Sequence, residues 1–115
     1  MKMTGCQKMV RIYVGEADRW HGQPLYMAIL LKARELGLAG GTVVRGIAGY
    51  GASSRVHTAS ILRLSEDLPM VIEIVDTEEK IAQLLPVLDK MVTEGLVLLS
   101  DVEVVKYIAK PAPQT

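Results

Sequence analysis

Residues 45–57, RGIAGYGASSRVH, place three glycines, two serines, two arginines and a histidine in one short stretch. Gly46, Gly49 and Gly51 tolerate positive φ and can turn successive backbone N–H groups inward, the geometry of a concave anion site. Arg45, Arg55 and His57 would add charge-assisted hydrogen bonds to such an anion, and Ser53 and Ser54 their hydroxyls. GYGASS matches a dinucleotide fingerprint only loosely, because no clear helix follows it. The same glycines would equally suit an excursion between two strands that binds nothing. His57 as a general base, with Arg45 and Arg55 stabilising negative charge, is the enzymatic alternative, but no nucleophile or carboxylate pair accompanies it.

A second polar cluster holds Glu16, Asp18, Arg19, Trp20 and His21. It reads either as a wall of the same crevice, with Trp20 stacking on a base or packing on a neighbouring chain, or as a solvated connection with one anchoring aromatic. Glu16 and Trp20 join the candidate ligand-binding set on the first reading. Neither His21 nor His57 has a cysteine or second histidine at ligand spacing, so no metal site is expected.

Alternating strands and two helices must position these groups. Residues 8–14 alternate Val10, Ile12 and Val14 with Met9, Arg11 and Tyr13, the pattern of a strand. Pro24 opens a helix with Leu25, Ala28, Ile29, Ala33 and Leu36 at helical spacing; Gly37 closes it in the left-handed conformation, with Leu38 folding back. A second strand is expected over 42–50, with Val44, Gly46 and Ala48 opposite Val43, Arg45 and Ile47. Residues 58–64 fit a ribbon or a helical turn equally, 65–69 read as a turn, and 70–75 form a third strand. Asp76 and Glu79 form the reciprocal cap of a second helix with a stripe of Ile81, Leu84, Leu85, Leu88, Met91 and Val92. Pro86 lies about 140° round from Ile81, away from that stripe, and predicts a bend. A fourth strand follows over 96–108, irregular near Ser100 and Asp101. Residues 1–7 read as a flexible leader and 109–115 as a flexible tail, leaving 8–108 as one domain.

The order βαββαβ predicts an α+β, ferredoxin-like split βαβ domain with an antiparallel sheet in strand order 4-1-3-2. In that order Glu103, Arg11, Glu73 and Arg45 would alternate in sign across one sheet face. Met9, Tyr13, Val43, Ile47, Val71, Val75, Val105 and Tyr107 would flank them. An apolar face of that size predicts a homo-oligomer that buries it.

Thirteen basic and thirteen acidic side chains give net charge +0. That removes the electrostatic excess that would draw the whole chain onto nucleic acid or an anionic membrane. Few aromatics fall on the open sheet face, which argues against RNA binding there. One cysteine, Cys6, cannot form an internal disulfide, and no apolar run is long enough to span a membrane. A reducing cytoplasm is the expected location.

The segments RIYVGEADRWHGQPLY, TVVRGIAGYG and RLSEDLPMVIEIVD resemble those of the bacterial and archaeal family called domain of unknown function 190, over roughly residues 8–108. That family resembles the PII signalling proteins, in which three ferredoxin-like subunits pack around a threefold axis with a long loop between the second and third strands. The resemblance implies a cytoplasmic homotrimer and a nucleotide or other anionic ligand between subunits. It also implies a regulatory role without catalysis, and a membrane transporter or other regulated protein as partner. Residues 92–95, VTEG, place Glu94 where PII proteins have glycines and basic residues, so ATP binding does not carry over.

Overall fold

The computed structural model describes residues 3–50, 57–58 and 67–109. β1 (Gly5–Gly15) carries the expected alternation, with Val10, Ile12 and Val14 buried. It begins inside the segment read as a leader, because residues 5–7 pair with 102–104 of the last strand through backbone bonds that need no alternating pattern. Met3, ahead of it, is buried and donates its N–H to the Tyr107 carbonyl at 3.3 Å.

The connection after β1 is itself a hairpin, β2 (Arg19–Trp20) and β3 (Gln23–Pro24), which periodicity did not reveal. His21 at φ 47° and Gly22 at φ 82° form its turn, the pair of positive φ values that a two-residue type I′ hairpin requires. A non-glycine residue held there costs about 1 kcal/mol.

α1 (Leu25–Glu35) buries Leu25, Ala28, Ile29 and Ala33. Pro24 precedes it as N-cap. At the other end Gly37, at φ 83°, donates to Arg34 O at 3.0 Å and Leu38 to Ala33 O at 3.1 Å. This is the expected glycine stop, with Leu38 folded back into the core.

β4 (Gly41–Arg45) ends sooner than the predicted strand. Gly46 donates to the Pro69 carbonyl at 2.7 Å, and Pro69 has no N–H with which to continue the ladder. A short hairpin of β5 (Ala48–Gly49) and β6 (His57–Thr58) follows. Most of 58–64 lies outside the described residues.

β7 (Pro69–Asp76) alternates as expected, with Met70, Ile72 and Ile74 buried. α2 (Glu78–Met91) buries Ile81, Leu84, Leu88 and Met91. Its cap is Thr77, whose hydroxyl accepts the Lys80 N–H at 3.3 Å, rather than the expected Asp76–Glu79 pair. Asp76 is 1% exposed and does different work: it accepts the Ala39 N–H at 2.7 Å and the Thr77 N–H at 2.6 Å, tying the approach to β4 to the end of β7. Pro86 is exposed within a continuous helix, where proline costs about 3 kcal/mol relative to alanine.

β8 (Leu96–Val104) stays paired through Ser100 and Asp101 and is regular there, contrary to expectation. The Lys8 amine holds Asp101 across the strand pair. The four long strands form one antiparallel sheet in the order β4-β7-β1-β8, the 4-1-3-2 arrangement of a ferredoxin-like fold. Both helices pack on the face bearing Val10, Ile12, Ile72 and Ile74.

The predicted charge row survives at one pair. Arg11 lies opposite Glu73, its Nη2 2.7 Å from Oε2, and this hydrogen-bonded carboxylate raises the guanidinium above its ordinary value. Glu103 instead faces Cys6, and Arg45 faces Met70. Because Val43 pairs with Ile72 and packs on the core, Val43 and Arg45 belong to the helix side, while Val44 occupies the open face. Ile47 falls between β4 and β5, and Val105 and Tyr107 follow β8. Tyr107 donates its hydroxyl to Ala39 O at 2.9 Å. The open face is therefore made by Met9, Arg11, Tyr13, Val71, Glu73, Val75 and Val44, with Leu96 and Leu98 beyond them.

The first four residues of β8 are apolar and exposed on both faces. Leu96 and Leu98 (50% and 42% exposed) pair with Tyr13 and Arg11, and Val97 and Leu99 (38% and 50%) with Ile12 and Val10.

Candidate functional site

The C-terminal end of β1 meets the end of β4 and the starts of β7 and β8 at one pole of the sheet. There the chain after β1 makes a tight turn: Gly15 donates to Asp18 Oδ2 at 2.9 Å, and Asp18 N–H returns to Gly15 O at 3.2 Å. This short aspartate loop is stapled to the approach to β7. Ala17 donates to Asp67 Oδ1 at 2.7 Å and Glu16 to Leu68 O at 2.8 Å. A Cβ on Gly15 would sit 2.6 Å from Asp67 Oδ2, so glycine makes room for the carboxylate that caps the turn.

Between these turns lies a cleft of about 600 Å³. Tyr13, Gly15 and Asp18 form one wall, Gly46, Gly49 and Tyr50 a second. Asp67, Pro69, Glu94 and Leu96 complete it. Among the described lining residues there is no lysine or arginine, and three are carboxylates. Asp18 and Asp67 already accept backbone N–H groups. Arg45, next to Gly46 in the chain, is 58% exposed in its side chain and paired with Glu16, whose side chain is 23% exposed. The described lining thus offers aromatic and aliphatic surface with hydrogen-bond acceptors, with Arg45 outside it.

Of the candidate residues, the structure brings Arg45 and Glu16 together beside the cleft and puts Gly46 and Gly49 in its wall. Gly46 and Gly49 do not show the backbone geometry expected of a nest, whose third glycine, Gly51, lies outside the described residues. The Gly46 N–H is bonded to Pro69, and neither residue takes positive φ. Close approach accounts for them: a Cβ on Gly46 would lie 2.7 Å from Pro69 Cγ, and one on Gly49 3.0 Å. Gly51, Ser53, Ser54 and Arg55 lie outside the described residues. His57 enters through its backbone, which pairs with Gly49.

Trp20 is not at the cleft. It lies in a separate groove between the helices, stacked on His21 with ring centroids 4.2 Å apart. Tyr13, Tyr50 and Asp67 were not singled out as site residues from the sequence. Tyr13 read as an open-face residue of its strand, and Asp67 gave no local signal, since its partner Ala17 is fifty positions away. Among the described residues no group of three or more histidine, cysteine, aspartate or glutamate side chains is placed to hold a metal, and no helix is long and apolar enough to cross a membrane.

The sheet order, the two helices on one face and a cleft at the root of the segment between the second and third long strands define a PII-like fold. A nitrogen regulatory PII-like protein of Thiomonas intermedia, bound to ADP, AMP and bicarbonate, superposes with TM-score 0.65 at 18% identity, over 90% of this chain and 91% of that one. The chain belongs to the family called domain of unknown function 190, described as uncharacterised, whose model matches residues 7–104. A UPF0166 protein of Aquifex aeolicus is 41% identical over 99 residues, 86% of this chain and 93% of that protein. Another from Methanocaldococcus jannaschii is 39% identical over 100 residues, 86% of this chain and 92% of that protein.

Proposed function

We propose that this protein is a cytoplasmic, non-enzymatic regulator of the PII-like kind, which senses a nucleotide or other small anion in the cleft and signals through the chain that leaves it. The observation that carries this reading is shared construction: Gly46, Gly49 and Tyr50 are at once a wall of the cleft and the root of the segment leading to β6. A ligand that binds one arrangement of this root better than another shifts the population that a partner meets. A membrane transporter or other regulated protein is the partner class, met through that segment. The solved PII-like structure with ADP and AMP supports a nucleotide as the first ligand to test.

The electrostatics suggest how a nucleotide would lie. The carboxylates of Asp18, Asp67 and Glu94 suit sugar hydroxyls or an amino group, and they repel phosphate. The anionic end would turn toward Arg45, with Arg55, Ser53, Ser54 and His57 as further candidates.

A homotrimer is part of the proposal. An edge strand with Leu96, Val97, Leu98 and Leu99 all exposed is a liability in an isolated chain, which packing against another copy removes. Isothermal calorimetry with AMP, ADP, ATP and bicarbonate, run on wild type and Arg45→Gln, tests the ligand, and light scattering tests the assembly. Binding that weakens in Arg45→Gln is expected. No heat from any of the four, or a monomer at micromolar concentration, refutes the reading.

A further inference from the structure

We propose that the groove between the helices is a second ligand site, built for a planar aromatic anion. It encloses about 540 Å³ between the β2–β3 hairpin, α1 and the C-terminal half of α2, a volume ordinary for small-molecule sites. No described residue lines both this groove and the cleft, so the inference does not depend on the regulatory reading.

Two locally unfavourable residues meet there. His21 holds the left-handed conformation although it is not glycine, with its ring stacked at 16° to the Trp20 indole. Pro86 interrupts the hydrogen bonding of α2 while contributing no buried side chain. Glycine at the first position and alanine at the second would suit the backbone better. Backbone preference therefore explains neither residue, yet both line the same groove. Convergent departures from local preference mark sites where something other than folding sets the residue.

The lining specifies the ligand. Trp20 packs against the core and carries the ring of His21, an exposed residue of the groove lining, and a planar ligand ring would extend this stack. Leu31, 46% exposed, supplies an apolar wall. Lys32 lies 3.7 Å from Glu35, whereas Lys90, in the last turn of α2, makes no ion pair among the described residues. A carboxylate or phosphate on an aromatic ring would meet both this stack and this ammonium.

Trp20 is the only tryptophan of the chain, so its fluorescence reports on this groove directly. The full-length protein is titrated with benzoate, nicotinate and phenyl phosphate, with benzamide, nicotinamide and inorganic phosphate as matched controls. A saturable change is expected with the ring anions, and at least tenfold weaker binding with controls that lack the charge or the ring. Lys90→Gln and His21→Asn should each weaken ring-anion binding about tenfold, or about 1.4 kcal/mol. Arg45→Gln should leave it unchanged. Asparagine tolerates the left-handed conformation, so the hairpin of His21→Asn should persist with an unaltered melting temperature. If it melts lower, Lys90→Gln on the exposed helix surface decides. No saturable change in the millimolar range, equal response to benzamide and benzoate, or binding that survives Lys90→Gln overturns the proposal.

Discussion

Replacing Gly46 by alanine separates two physical roles that glycine can play at this cleft. The added Cβ would stand 2.7 Å from Pro69 Cγ and 3.3 Å from the Pro69 carbonyl oxygen, about 1 Å inside the ordinary carbon–carbon contact. The proline ring has little freedom to yield, and Gly46 is itself held by its hydrogen bond to Pro69. Relief must come from separating the ends of β4 and β7. Overpacking of this kind costs about 1–3 kcal/mol, which corresponds to a fall in melting temperature of roughly 4–12 °C for a domain near this size. Gly40→Ala is the matched control, because a Cβ there meets nothing within 4 Å, and loss of unfolded-state freedom leaves such a change neutral or stabilising by up to about 1 kcal/mol. Thermal unfolding followed by circular dichroism compares the two variants with wild type. If Gly46→Ala melts with Gly40→Ala, the close-approach argument is wrong. Weaker anion binding at unchanged stability would restore the anion nest.

Three further expectations follow from other parts of the molecule. Asp76→Ala leaves the Ala39 and Thr77 N–H groups without their acceptor in a buried setting and should cost about 2–4 kcal/mol in urea unfolding, with a loss under 1 kcal/mol counting against the assigned role. Glu16→Gln removes the carboxylate that holds Arg45; stability should change by less than about 1 kcal/mol, as for an exposed pair, while calorimetry should show AMP and ADP bound more tightly. The Lys8 amine is raised above 10.5 by its hydrogen bond to Asp101. Its contribution to stability is therefore complete below 10.5 and lost as pH rises through the raised value, so Asp101→Asn should flatten the alkaline loss of stability in pH-dependent melts and leave the acid side less affected.

Where one chemical need governed a residue, its place could be read in advance. Val10, Ile12 and Val14, and likewise Met70, Ile72 and Ile74, could be placed together because each set alternates with a central charge, Arg11 in one strand and Glu73 in the other, that belongs on the opposite face. Gly37 and Leu38 could be placed because a helix stop is a local event. β4 was assigned to the wrong face because Val43 and Val44 are equally apolar, and only pairing with Ile72 and Val71 decides between them. The capping of α2 was misplaced by one residue, since Asp76 and Thr77 are both good caps and a tertiary contact to Ala39 claims the first.

The cleft illustrates the same boundary. Arg45, Glu16, Gly46 and Gly49 were identifiable as polar or permissive residues flanking a strand. Their use was not, because glycine serves both unusual dihedrals and tight contacts, and the contacting Pro69 is far away in sequence. Trp20 was drawn toward the wrong cavity by its proximity to Glu16 and Asp18. The hairpin that swings it onto the helices turns at His21-Gly22, a rarer pair than the asparagine-glycine or aspartate-glycine that advertises such turns.

The bond between Met3 and Tyr107, and that from Tyr107 to Ala39, gather both ends of the described chain at the pole of the sheet where β1 starts. The eleven residues of β1 span roughly 35 Å at about 3.3 Å each, and the cleft lies at its other end. A fluorescent reporter or surface tether joined at Met3 or Tyr107 would therefore be anchored a full strand length from the cleft, which suits end-linked formats to the calorimetric and fluorescence tests above.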